Sequence, residues 1–195
     1  ACDMKSYLAV ILAMAPRFVE ASLKAPVHFA LSYDEEVGCI GARGLLEDLA
    51  RNNIRPAGAI IGEPTSMQPV IAHKGKRSYR CCVHGREAHS ALTPQGVNAI
   101  EYAARIISYI RHMAERMQAC EPRDYGFDVP FTTLQTGVIA GGTAGNIVPR
   151  ECNFQFEFRY LPGADPDALE QEIRDYAERV ILPEMQRTDP GASIR

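Results

Sequence analysis

Glu151-Cys152-Asn153-Phe154-Gln155-Phe156-Glu157-Phe158-Arg159-Tyr160-Leu161 alternates apolar and polar residues over most of its length. Successive side chains of a strand point to opposite faces. This stretch therefore predicts a strand with Cys152, Phe154, Phe156 and Phe158 on a core face and Asn153, Gln155, Glu157 and Arg159 on the other. Working outward, residues 131–140 predict a second strand, joined to the first by the loop Gly141-Gly142-Thr143-Ala144-Gly145-Asn146. Residues 97–117 repeat apolar positions at helical spacing, with Ile100, Ala103, Ala104, Ile107, Ile110, Met113 and Ala114 on one stripe. Before that helix lie a strand over 77–83 and a turn-rich loop over 85–94; after it comes a polar connection over 120–128. Downstream, Asp165 and Pro166 predict the cap and first residue of a helix running through residue 181. Residues 192–195 fit the start of a fourth strand. Strand, helix, strand, strand, helix, strand is the order of a split βαβ sandwich of the ferredoxin-like kind.

The first third reads differently. A helix is expected over 5–23, from Leu8, Ile11, Leu12, Ala15, Val19 and Leu23, with Pro16 kinking it or ending its first part. Residues 27–33 form a short apolar run that reads as a buried strand and ends in Asp34-Glu35-Glu36. Gly38 and Gly41 allow a turn, 42–49 predict a helix, and 57–61 predict a second strand followed by Gly62-Glu63-Pro64-Thr65. That is a βαβ unit, and ligands of such sheets collect at the carboxyl ends of the strands. The expected fold class is α/β, with a partial βαβ catalytic domain over 1–74 and an α+β domain over 75–195.

Across 195 residues, 46% hydrophobic and 23% charged residues describe an ordinary globular chain, and a net charge of −3 gives no reason to expect nucleic acid or an anionic membrane as partner. The apolar run over 7–15 is too short to span a bilayer. Six scattered cysteines, Cys2, Cys39, Cys81, Cys82, Cys120 and Cys152, form no CxxC pair, so buried free thiols in a reducing, cytoplasmic setting are expected. The loop over 141–146 lacks the Gly-Lys-Ser/Thr ending of a phosphate loop, which argues against nucleotide binding.

The chemistry rests on acids. Asp3 could cap the first helix, and Glu35 and Glu36 could be solvated loop residues. However, three acids at the end of a buried strand repel one another unless a cation or proton compensates. Pro64 stiffens the turn that carries Glu63. Two divalent metals about 3.5–4 Å apart need a bridging carboxylate and a further acid each, usually with a histidine each, and a nearby free carboxylate can move the proton of an activated water. Adjacent Glu35 and Glu36 could divide ligand and base roles. Alone, His89 reads as a surface histidine and Arg159 as one half of a surface ion pair; His28, His84 and His112 read as structural or exposed.

Cys2-Asp3-Met4-Lys5, Asp34-Glu35-Glu36-Val37-Gly38, Gly62-Glu63-Pro64-Thr65, Gly85-Arg86-Glu87-Ala88-His89-Ser90, Gly141-Gly142-Thr143-Ala144-Gly145-Asn146-Ile147-Val148-Pro149 and Phe158-Arg159-Tyr160-Leu161-Pro162-Gly163 occur in that order. In this combination the chain resembles the M20 metallopeptidase and deacylase family over essentially its whole length. The resemblance implies a zinc-peptidase-like catalytic domain and a lid that dimerises. It implies two divalent metals, Zn2+ or Co2+, with Asp3 bridging and Glu36 and Glu63 as terminal ligands. It makes Glu35 the general base, and His89 the group that reaches into the partner subunit's site to polarise the scissile carbonyl. Asn146 and Arg159 would bind substrate, Arg159 through a carboxylate. The implied reaction is hydrolysis of an N-acyl amino acid, N2-acetyl-L-ornithine to ornithine and acetate. Desuccinylation of succinyl-diaminopimelate, aminoacylase or glutamate carboxypeptidase activity, and a non-catalytic dimerisation module, are the alternatives. The family's histidine ligands fall outside the motifs present, so these 195 residues are expected to be a truncated piece that is inactive alone.

Overall fold

The computed structural model describes residues 3–195 and divides into two compact units, Ala1–Ile71 and Ala72–Arg195. Cys2, which opens the first acidic motif, lies outside the described residues.

The first unit carries two helices, α1 (Lys5–Glu20) and α2 (Ile40–Arg51). Pro16 lies inside α1 without ending it. The two expected strands, 27–33 and 57–61, make no strand ladder among the described residues. An apolar run becomes a strand only when neighbouring backbone completes its hydrogen bonds, and these runs stay outside any sheet. Leu31, Tyr33, Ile60 and Ile61 are all well exposed.

In the second unit the elements run β1 (Gly75–His84), β2 (Ala88–His89), α3 (Ala99–Cys120), β3 (Thr133–Gly141), β4 (Ile147–Val148), β5 (Glu151–Tyr160), α4 (Pro166–Tyr176), a π-helical turn (Ala177–Ile181), α5 (Leu182–Thr188) and β6 (Ser193–Ile194). Four strands form an antiparallel sheet in the order β3-β5-β1-β6. β1 and β5 pair over their full length, from Gly75↔Tyr160 to His84↔Glu151. The alternation that predicted β5 is realised: Cys152, Phe154, Phe156 and Phe158 are all buried. Each such side chain contributes about 1.5–3 kcal/mol of burial. Val83, Cys81 and Tyr79 of β1 share that face, where Tyr79 stacks on Phe156 at 5.0 Å. The mixed α/β character of the expectation holds, and its α+β part is this unit.

The helices cover the core face. α3 buries Ala99, Ala103, Ile106, Ile110 and Met113, a strict four-three stripe. The expected stripe was rotated by part of a turn: Ile106 is buried, whereas Ala104 is exposed and Ile107 half-buried. Asn98 caps α3 by accepting from the N–H groups of Ile100 and Glu101 at 3.1 and 3.2 Å. Asp165 caps α4 as expected, accepting from Asp167 and Ala168, and Pro166 takes the first turn. The helical path does not stop at residue 181. The π-turn widens the hydrogen-bond ladder ahead of Pro183, which has no N–H to offer, and α5 continues to Thr188.

Among the described residues no helix is long and apolar enough to cross a membrane. The five described cysteines are free thiols, but not all are buried: Cys39 and Cys120 are exposed and only Cys152 is fully buried. Burial pushes the Cys81 thiol up to about 12, with the neighbouring Cys82 and Cys152 adding to it.

Candidate functional site

Within the first unit, two of the acidic motifs are held side by side. Gly62, which precedes Glu63, packs against Tyr7 and Met4, the residue after Asp3; a Cβ there would lie 2.3 Å from the Tyr7 ring and 2.4 Å from Met4 Cε. The Tyr7 hydroxyl donates to the Ile60 carbonyl at 3.2 Å and locks the same approach. Asp3 does not cap α1, because Met4 occupies the cap position.

The third motif is a wound turn. The N–H groups of Gly38 and Cys39 both donate to the Glu35 carbonyl at 2.9 Å, and Gly41 N–H donates to Tyr33 O at 3.1 Å. Asp34, Gly38 and Cys39 have positive φ. At Gly41 a Cβ would sit 2.2 Å from Tyr33 O, so only glycine admits this entry into α2. The turn sets Cys39 Sγ against Glu35 Oε1 at 3.7 Å. Desolvation first, then the charges of Glu35 and Glu63, push the Cys39 thiol upward. The Glu35–Cys39 contact is absent from the sequence reading; the register of this turn, not any spacing, produces it. Glu35, Glu36 and Glu63 are all exposed.

As donors, these carboxylates fit hard divalent cations in kind. In geometry they do not close a site: among the described residues no group of three or more His, Cys, Asp and Glu side chains is placed to hold a metal ion.

In the second unit, His89 and Asn146 come together. His89 pairs with Ile147 across β2 and β4, and Ser90 N–H donates to Asn146 O at 2.9 Å. The His89 Nδ1 accepts from Ala91 N–H at 3.1 Å, which leaves its proton on Nε2. His89 thus sits on a strand leading into a 3-10 turn over Ser90–Gln95, not on the open loop that the sequence suggested. Two-residue strands carry no periodicity to find.

Arg159 lies elsewhere. It stands opposite Lys76 on β1 and Thr133 on β3, eight residues along β5 from Glu151, where the ladder runs out toward β2 and β4. At about 3.3 Å per residue that is about 25 Å. Its Nε donates to Glu157 Oε1 at 3.1 Å, the ion pair foreseen as the plain alternative. Lys76 Nζ lies 3.6 Å from Glu157 Oε2. Burial pushes Glu157 up, but Arg159 and Lys76 together pull it below the ordinary carboxylate value.

A two-unit chain with an antiparallel sheet backed by α3 to α5 has clear relatives. Residues 71–184 match the peptidase dimerisation domain model, and the chain belongs to the M20 family of peptidases and amidohydrolases. It is 37% identical over 203 aligned residues to the acetylornithine deacetylase of Myxococcus xanthus, covering 100% of this chain and 52% of that protein. Among solved structures it is similar to an amidohydrolase/peptidase from Burkholderia cenocepacia, with 26% identity, a TM-score of 0.51, and 63% of this chain and 27% of that one covered. A hydantoinase/carbamoylase family amidase from Burkholderia vietnamiensis shares the fold at 19% identity and a TM-score of 0.50, over 63% of this chain and 26% of that one. The chain spans about half the length of the curated relative it matches.

Proposed function

We propose that this chain belongs to a metal-dependent amidohydrolase that cleaves an N-acyl amino acid, with N2-acetyl-L-ornithine as substrate and ornithine and acetate as products. The carrying observation is the approach of the Asp3 and Glu63 motifs, with Gly62 packed on Met4 and Tyr7. Asp3 would bridge two Zn2+ or Co2+ ions, with Glu36 and Glu63 as terminal ligands. Bound metals of this kind lower the pKa of a water to about 7. Glu35 would take the proton of the attacking water and hand it to the leaving amine nitrogen. His89 donates from Nε2 to the scissile carbonyl oxygen; the Ala91 N–H on its Nδ1 fixes that tautomer. Asn146 and Arg159 hold the substrate, Arg159 through its carboxylate.

An acylated amino acid is far shorter than the roughly 25 Å that separates Arg159 from the end of the ladder where His89 and Asn146 lie. We therefore assign the two groups at one site to two copies of the chain, Arg159 from one and His89 with Asn146 from the other. The match of residues 71–184 to a dimerisation domain supports this homodimer. In the same reading the second unit is a ferredoxin-like lid, domain 75–195, and 1–74 is part of a zinc-peptidase-like catalytic domain working in the reducing cytoplasm. In this reading the 195 residues by themselves do not turn over.

The test is release of the free carboxylate and amine by the metal-loaded full-length enzyme across a panel of acetyl, succinyl and glutamyl amides. Highest kcat/KM on N2-acetyl-L-ornithine supports the reading, and preference for a succinyl or glutamyl amide moves the protein to another branch of the family. Turnover by the 195-residue chain alone would refute its inactivity. The match of residues 71–184 to a dimerisation domain model also fits a second reading, a dimerisation module without chemistry. Calorimetry with Zn2+ or Co2+ separates the two, since a module binds no metal through Asp3 or Glu36.

A further inference from the structure

Lys76 and Arg159 face each other directly across β1 and β5, on the sheet face that the helices leave uncovered. Like charges directly opposite one another destabilise a sheet, so the pair calls for an anion. Glu157, two residues before Arg159 and therefore on the same face, supplies part of it. One carboxylate oxygen takes the Arg159 Nε–H at 3.1 Å. The other lies 3.6 Å from Lys76 Nζ and accepts from the Ser78 hydroxyl at 3.4 Å. Two cations and one anion leave one positive charge uncompensated. The grip on Nε also leaves the planar end of the guanidinium free: among the described residues neither Nη group of Arg159 makes a hydrogen bond. That end is the one able to grasp a carboxylate with two parallel bonds.

We propose that Glu157 is a positioning and specificity residue: it aims the free fork of Arg159 and, by cancelling one of two facing cations, tunes the site to a ligand carrying a single carboxylate. The proposal rests on the reading of Arg159 as the substrate-carboxylate group. Lys76 is the second half of the device, because it supplies the charge that Glu157 cancels. A diacid would meet one surplus charge where it needs two.

The experiment compares N-acetylnorvaline, with one carboxylate, and N-acetylglutamate, with two, on the metal-loaded full-length enzyme. Glu157→Gln keeps an acceptor for Nε and removes only the charge. It should raise the ratio of kcat/KM for diacid over monoacid about fivefold at low ionic strength. The gain should fade at about 0.5 M salt, where such exposed charges are screened. Lys76→Gln should move the ratio the other way by a similar factor, a direction that a merely structural loss would not give. Arg159→Met should raise KM for both substrates at least about tenfold. An unchanged KM in Arg159→Met overturns the carboxylate reading and the inference with it. A raised KM there, with ratios in Glu157→Gln and Lys76→Gln within about twofold of wild type, overturns the inference alone.

Discussion

Consider two impaired variants of the full-length enzyme, His89→Ala and Arg159→Met, expressed together and assayed well below KM. Arg159 and Glu151 are eight residues apart on β5, and β2 and β4 carry His89 and Asn146 onward from the Glu151 end. With about 25 Å between the two groups, a single copy cannot present both to one acyl amino acid. His89→Ala should lose most of its turnover, since removing one oxyanion donor costs about 10²–10³ in kcat, and Arg159→Met, with its KM raised at least about tenfold, should be slow when substrate is kept well below KM. In a mixed dimer, however, one site receives Arg159 from the His89→Ala copy and His89 from the Arg159→Met copy and is intact; the other site lacks both. Random pairing of two symmetric variants makes about half of the dimers mixed. The co-expressed sample should therefore regain about a quarter of wild-type activity per protein. The assay is acetate release from tandem-tagged, purified mixed dimers, which should reach about half of wild type. Activity no higher than that of the parents in those dimers would show that each copy builds its own site.

Other outcomes follow from the second unit. Phe158 is fully buried and touches the rings of Tyr79 and Tyr160. Phe158→Ala should cost about 3–5 kcal/mol in urea unfolding, and a loss under about 1 kcal/mol would mean that the sheet face is not packed as described. Glu172 accepts from Arg116 at 2.6 Å and from the Tyr109 hydroxyl at 2.9 Å. The Arg116 bond holds its carboxyl below the ordinary value despite partial burial. A depressed folded pKa gives stability that is present above the unfolded value, about 4.3, and lost as pH falls through the folded one. Wild type should thus exceed Glu172→Gln in urea midpoint at about pH 6, with the gap narrowing as the pH falls through and below the unfolded value; a gap independent of pH would contradict the assignment.

What could be read in advance follows from where the physics is local. The alternation of β5, the Asp165-Pro166 start of α4 and the succession of long strands and helices along the second unit depend on neighbours in sequence, and all three stand in the structure. The face of α3 was misjudged because Ile106 and Ile107 are equally apolar, and only the sheet decides which turns inward. The end of the last helix was misjudged because Pro183 signals a stop unless a π-turn precedes it. In the first unit an apolar run could not reveal whether backbone partners lie beside it, so 27–33 and 57–61 read as strands. The acids at the ends of those runs were legible as candidates. Their neighbourhoods were not: Cys39 against Glu35 depends on a turn whose positive φ values no spacing announces, and Gly62 on Met4 is a contact between residues far apart in sequence. Glu157 was visible on the polar face of β5, but its link to Lys76 needed the cross-strand register.

The central claim is that the acids of the first unit form a hydrolytic centre with Glu35 as its base. Glu35→Gln in the metal-loaded full-length enzyme tests it most directly, with metal content and kcat measured on the same preparation. Unchanged metal content and a fall in kcat of about 10²–10⁴ are expected. A kcat within a few-fold of wild type, with the metals in place, would contradict it.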